Sequence, residues 1–235
     1  MKQLAFEFAP TPPPTLHNFV PGRNAELLRN LRRVAISDAG ERFFYVWGTP
    51  GSGRSHLLRG AMDAACDVGA NALYVACTRE TSLPDDSRLP DCIALDDVQQ
   101  LGEAAQIALF NACNALRERG GAVLASGDVP AAQLPLRQDL VTRLGWGLVY
   151  QVHALSEDEK MQALKRQAAE RGFALAEDVC IYLLNRAPRD MASLLAVLDG
   201  LDRYSLQVKR PVTVALAREL LNTAHNLDSR SRIED

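Results

Sequence analysis

Phe43-Phe44-Tyr45-Val46-Trp47, followed by Gly48-Thr49-Pro50-Gly51-Ser52-Gly53-Arg54-Ser55, is the stretch from which the rest of this sequence is read. The five leading residues form a continuous apolar run, the pattern of a parallel strand buried on both faces. Gly48 to Ser55 matches the P-loop pattern G-x-x-x-x-G-K-[ST], with Arg54 where lysine is usual. Arg54–Val68 reads as a helix, so the glycine-rich turn lies between a strand and a helix, the context the pattern requires. Glycines let backbone N–H groups converge on phosphate oxygens, and the following helix turns its positive end toward them. Gly48, Thr49, Pro50, Gly51, Ser52, Gly53, Arg54 and Ser55 thus form a candidate phosphate cradle, with the Ser55 hydroxyl placed for Mg2+. Arginine keeps the positive charge, but its planar fork is bulkier than an ammonium and aims its donors differently. Nucleotide binding is expected to survive this replacement, and intrinsic hydrolysis is expected to be slow.

On either side the chain alternates helix and strand. Leu27, Leu28, Leu31 and Val34 lie at helical spacing within Ala25–Ala35. Further strands are expected at Leu73–Ala76, Cys92–Leu95, Ala122–Ala125 and Leu148–Val152. A helix is expected at Glu103–Arg119, with Ile107, Leu109, Phe110 and Leu116 facing inward. Alternation of this kind predicts an α/β fold, a three-layer sandwich around a parallel sheet. Beyond about residue 156 the strand patterns stop. Helices are expected over Ser156–Arg171, opened by Ser-Glu-Asp-Glu and closed by Gly172, then Ala176–Arg186, Asp190–Leu206 and Val212–Thr223. The sequence therefore divides into residues 1–14 (a short peptide and proline-rich spacer), 15–155 (the α/β domain), 156–227 (a small all-α domain) and 228–235 (a frayed tail).

Of the 235 residues, 47% are hydrophobic and 23% charged, which is ordinary for a globular protein long enough for these two domains. The 26 basic and 29 acidic residues leave a net charge of −3, so no global basic surface favours nucleic acid. No run approaches the ~18 uncharged apolar residues a membrane span needs. The N-terminus, Met1 to Phe8, is too polar for a signal peptide, so a cytoplasmic, reducing location is expected. Cys66, Cys77, Cys92, Cys113 and Cys180 are scattered, without ligand spacing, and are expected to be small buried hydrophobes.

Ile93-Ala94-Leu95-Asp96-Asp97 is an apolar strand ending in paired carboxylates, the form of a Walker B motif. Some forty residues after a P-loop, Asp96 is placed to hold the Mg2+ shell and Asp97 to orient an attacking water.

These motifs are joined by Ser126-Gly127-Asp128 at the end of the fourth strand and by Arg143-Leu144-Gly145-Trp146-Gly147 before the fifth. Together they resemble DnaA-type AAA+ proteins. The resemblance spans residues 3–222 and implies an AAA+ P-loop sandwich followed by a helical lid, binding ADP or ATP with Mg2+. It implies that Asp128 is the sensor I residue, and that Arg143 is an arginine finger for a neighbouring subunit's nucleotide. It further implies that Arg189 is the sensor II arginine and that Leu16–Asn24, Asn24 included, lines the adenine pocket. Arg54-Ser55-His56-Leu57-Leu58 is most similar to the Hda branch of that family, which places His56 beside the nucleotide. Gln3-Leu4-Ala5-Phe6, with Phe8, looks like a peptide that docks on the replicative sliding clamp, although Leu4, Phe6 and Phe8 also alternate as an edge strand would. No helix-turn-helix segment follows residue 235, so strong DNA binding is not expected. The implied function is regulation of replication initiation: tethered to the clamp, the protein stimulates hydrolysis of DnaA-bound ATP through Arg143. Nucleotide-dependent self-association is compatible with this. The alternative is an independent AAA+ ATPase, a remodeller or helicase loader.

Overall fold

A computed structural model describes residues 13–35, 40–85, 88–188 and 190–231, with backbone only for residue 35 and residues 223–231. The chain forms two compact units, one of them Pro14–Ala154 and the other containing the residues from Leu155 onward.

In the first unit, helix α1 (Ala25–Ala35) precedes strand β1 (Phe43–Trp47), and the P-loop leads into α2 (Arg54–Asp67). Then come β2 (Ala72–Ala76), β3 (Cys92–Asp96), α3 (Glu103–Arg119), β4 (Ala122–Gly127), α4 (Gln138–Leu144) and β5 (Leu148–Gln151). The sheet order is β2-β3-β4-β1-β5, and every pairing is parallel. Successive side chains of a strand point to opposite faces, and the core divides accordingly. Phe43, Tyr45, Ile93, Leu95, Val123 and Ala125 pack with α3 and α4 on one face. Phe44, Val46, Cys92, Ala94, Ala122 and Leu124 pack with α1 and α2 on the other. The three-layer sandwich expected from the alternating pattern is the observed fold.

Two inward assignments are corrected. Ile107 is 43% exposed, while Ala105, Leu109, Ala112, Cys113 and Leu116 form the buried stripe of α3. At 100° per residue, a position two away from both Ala105 and Leu109 lies on the opposite side of the helix. Cys66, near the end of α2, is exposed, whereas the other four cysteines are buried. Helix α4 had no counterpart in the sequence reading: it has seven residues, and its buried side chains are Leu140, Val141 and Leu144.

The second unit contains α5 (Glu157–Glu170), α6 (Glu177–Arg186), α7 (Met191–Val208) and α8 (Val214–Ser231). Leu164, Val179, Cys180, Leu183, Leu194, Leu198, Leu201 and Leu220 fill its core. Ser156 starts α5 with a capping box: its hydroxyl accepts from Glu159 N–H, and the Glu159 carboxylate accepts from Ser156 N–H. Helix α8 runs further than the apolar pattern ending at Thr223 indicates. Among the described residues no helix is long and apolar enough to cross a membrane.

Burial pushes the thiols of Cys77 and Cys113 up to about 12, which suppresses the reactive thiolate. With a disulfide-forming thiol reagent at pH 8, one of the five cysteines, Cys66, is expected to react rapidly and the others only after unfolding. More than one fast thiol in the native protein would contradict this packing.

Candidate functional site

The carboxyl ends of β1, β3 and β4 lie side by side, with Trp47 in register with Gly127 and Leu95 with Ala125. In open parallel sheets this edge is where ligands bind, and the P-loop, Asp96-Asp97 and Ser126-Gly127-Asp128 all leave the sheet there.

The P-loop is shaped by close approaches. A Cβ on Gly48 would sit 2.5 Å from the Val152 carbonyl oxygen. Gly53 has φ +102°, and a Cβ there would sit 2.8 Å from the Phe19 ring. Only glycine meets both demands. Gly48 N–H donates to the Gly127 carbonyl at 3.2 Å, joining the loop to the end of β4. Thr49, Pro50 and Ser55 are exposed, whereas Ser52 and Arg54 are buried.

Two polar atoms in this loop, Ser52 Oγ and Arg54 Nη1, are buried without a hydrogen-bond partner. Arg54 Nη1 does lie 3.0 Å from Asp97 Oδ1, so its charge is paired although no N–H is aligned along that contact. Buried polar groups normally find partners. A loop that strands a hydroxyl and a guanidinium nitrogen at a helix N-terminus therefore fits an anionic ligand such as a phosphate.

Asp96 is 6% exposed and accepts two hydroxyl hydrogen bonds, from Tyr74 at 2.6 Å and from Ser126. Ser126 Oγ also accepts from Asp97 N–H at 2.9 Å. Burial, and then the bond to Asp96, raise the Tyr74 hydroxyl above its ordinary value, so it stays a donor. Asp97 takes a left-handed backbone, φ 60° and ψ 55°, and its Oδ1 also accepts from Gln99 Nε2 at 3.2 Å. Tyr45, on β1, donates to the Val129 carbonyl at 2.6 Å and so fixes the turn carrying Asp128. Burial, and next the Asp128 charge, hold its hydroxyl protonated. Among the described residues no three His, Cys, Asp or Glu side chains converge as a metal site. Mg2+ commonly binds one or two carboxylates together with phosphate oxygens; of the carboxylates here, Asp96 already accepts a hydroxyl on each of its oxygens.

The segment ahead of α1 is clamped against α2 and against α1 itself. His56 Nε2–H donates to the Thr15 carbonyl at 2.9 Å, and Arg32 Nη2 donates to the Leu16 carbonyl at 2.9 Å. Burial holds the His56 imidazole below its ordinary value. Its ring meets Phe19 edge-on, with centroids 5.4 Å apart. Asn24 is buried, and its amide is engaged at both ends by the backbone of His153: Nδ2 donates to the carbonyl and Oδ1 accepts from the N–H, each at 2.8 Å.

Arg143 is not brought to the P-loop. Its Nε donates to Asn114 Oδ1 at 3.0 Å, and its guanidinium lies 4.1 Å from the Trp146 ring centre and 4.8 Å from that of Phe110. Arg117 covers Trp146 as well, at 4.3 Å, and Trp146 meets Phe43 edge-on. Phe43 begins β1 and the P-loop follows its end, so Arg143 sits at the opposite end of a strand on the order of 15 Å long. Arg189, Gln3, Leu4, Phe6 and Phe8 lie outside the described residues.

The roles of Tyr74, Tyr45, Ser126 and Asn114 were not legible in the sequence. The available signal was Tyr74 in the otherwise aliphatic strand Ala72–Ala76, because a buried hydroxyl needs a partner.

A family model described as the lid domain of Hda matches residues 157–221. An uncharacterized protein of Haemophilus influenzae is 33% identical over 229 residues, spanning 94% of this chain and 99% of that protein. Domain III of the Thermotoga maritima replication initiation protein DnaA superposes with a TM-score of 0.69 at 22% identity, over 90% of this chain and 96% of that one. AMPPCP-bound DnaA from Aquifex aeolicus gives 0.64 at 21%, over 84% and 70%. At such identities the two structures speak for the fold alone.

Replacing Asn24 with alanine leaves both polar groups of His153 without their partner. Urea denaturation of Asn24→Ala is expected to show a loss of about 1–3 kcal/mol, and an unchanged midpoint would mean the clamp adds nothing to stability.

Proposed function

We propose that this chain, whose residues 157–221 match the model of the Hda lid domain, is an Hda-like, DnaA-related protein that regulates replication initiation by stimulating hydrolysis of ATP held by DnaA. The observation that carries this reading is the placement of Arg143 at the far end of β1 from its own P-loop. An arginine so placed cannot serve the nucleotide of its own chain. It is held ready by a hydrogen bond and two aromatic faces for one bound elsewhere.

In this proposal ADP or ATP lies in the loop formed by Gly48, Thr49, Pro50, Gly51, Ser52 and Gly53, with Arg54 and the exposed Ser55 beside it. Bound nucleotide supplies the phosphate anion that satisfies Ser52 Oγ and Arg54 Nη1, the two buried atoms without aligned partners. Ser55 and Asp96 are the chain's donors to Mg2+. Asp97 and Asp128 face the phosphate end, and Arg189 acts as the sensor II residue. His56 and Asn24 contribute by fixing the Thr15–Asn24 segment through the Thr15 and His153 backbones. Gln3, Leu4, Phe6 and Phe8 tether the chain to the replicative sliding clamp, a cytoplasmic partner. The ion pair between Arg54 and Asp97 supports slow turnover of this chain's own nucleotide, since the acid expected to orient water is drawn to the P-loop cation.

An arginine supplied in trans can raise nucleotide hydrolysis by about three to five orders of magnitude. With ATP pre-bound to DnaA and DNA-loaded clamp present, Arg143→Ala is expected to abolish stimulation while leaving nucleotide and clamp binding intact. Full stimulation by the variant would overturn the role given to Arg143. Gln3→Ala combined with Leu4→Ala is expected to lose the clamp in a pull-down at unchanged nucleotide affinity. Retention of the clamp by that variant would dismiss the docking peptide.

A further inference from the structure

Arg54 occupies the P-loop position of the usual lysine, yet its guanidinium is engaged within the protein. Its side chain is 9% exposed, and Nη1 stands 3.0 Å from Asp97 Oδ1. The partner carboxylate is 41% exposed, so one side of the pair faces solvent. The contact is also poorly formed: Nη1 has no aligned hydrogen bond, and Ser52 Oγ in the same loop has none either. Asp97 reaches Arg54 from a left-handed backbone that non-glycine residues adopt uncommonly. Ser126 Oγ on its N–H and Gln99 Nε2 on its carboxylate help to hold it there.

A carboxylate held against the P-loop cation is chemically a resident anion. We propose that Asp97 is an internal competitor for phosphate at Arg54, so that a nucleoside phosphate must displace this carboxylate in order to bind. This deepens the nucleotide-site reading and rests on it. The pair is weak enough to be displaced because it is half-solvated and misaligned, whereas phosphate offers several oxygens for charge-assisted, aligned hydrogen bonds. The affinity of the site is then the intrinsic affinity reduced by the fraction of molecules in which Arg54 is already taken.

The test is a double-mutant cycle on the full chain, read by binding of a fluorescent ADP analogue in EDTA, where neither hydrolysis nor metal intervenes. Asparagine tolerates the left-handed conformation of residue 97, so Asp97→Asn removes the charge without straining the backbone. It is expected to tighten binding about fivefold. Arg54→Met is expected to weaken binding, and adding Asp97→Asn to it is expected to change nothing further. Where Arg54→Met fails to fold, Arg54→Gln serves in its place. Unchanged or weaker binding by Asp97→Asn overturns the proposal. So does an equal tightening in the Arg54→Met background, which would assign the effect to plain charge removal. Failure of the wild-type protein to bind the analogue at all is a separate result, and it would remove the nucleotide-site reading together with the competitor.

Discussion

The hydroxyl of Ser126 on β4 serves both acids at the end of β3, donating to the Asp96 carboxylate and accepting from the N–H of Asp97 just beyond it. The two adjacent acids are thereby given different surroundings. Asp96 is drawn into the sheet edge and shared between two hydroxyls, while Asp97 is turned outward through a left-handed residue toward Arg54. Gly48 N–H bonds to the carbonyl of Gly127, the residue after Ser126, so the P-loop is indexed to the same strand end. The Ser126 hydroxyl and the Gly48–Gly127 backbone bond together relate β3, β4, the two carboxylates and the loop. A buried polar network of this kind specifies one arrangement only when its members are satisfied together.

The second organising feature is the separation of tasks along β1. One end of the strand delivers the glycine-rich turn and the other abuts the Trp146 cluster. Arg143 there is restrained by Asn114 and by the faces of Trp146 and Phe110, so little side-chain freedom remains to be lost when it engages an anion. Arg117 on Trp146 adds a second cation to the same aromatic platform. In the proposed function, holding and delivering fall to opposite edges of the sheet.

Much of this was legible in the chain because parallel strands buried on both faces must be apolar throughout. Phe43–Trp47 and Cys92–Asp96 announce themselves, and a glycine-rich turn between strand and helix has few other uses. What escaped has physical reasons. Helix α4 buries only Leu140, Val141 and Leu144, too few positions to establish a period. Ile107 is aliphatic yet faces solvent, because the buried stripe of α3 is built largely of small residues such as Ala105, Ala112 and Cys113, which carry little hydrophobic signal. The hydroxyls of Tyr45 and Tyr74 were hidden inside strand patterns that register only their rings. The pairing of Arg54 with Asp97 joins residues far apart in the chain, and local sequence carries no sign of it.

The order of the sheet has a consequence for biosynthesis. Strand β1 pairs with β4 and β5 and with neither β2 nor β3. Roughly 75 residues separate the end of β1 from the start of β4, several seconds of translation at typical rates. For that interval the five apolar residues Phe43–Trp47 leave the ribosome with no neighbour to receive their backbone. β2 and β3 can zip together in the meantime, but β1, and the glycine-rich turn that depends on it, must wait. The nascent chain therefore passes through a stage in which an apolar strand is unpaired, a natural point for a holding chaperone to act.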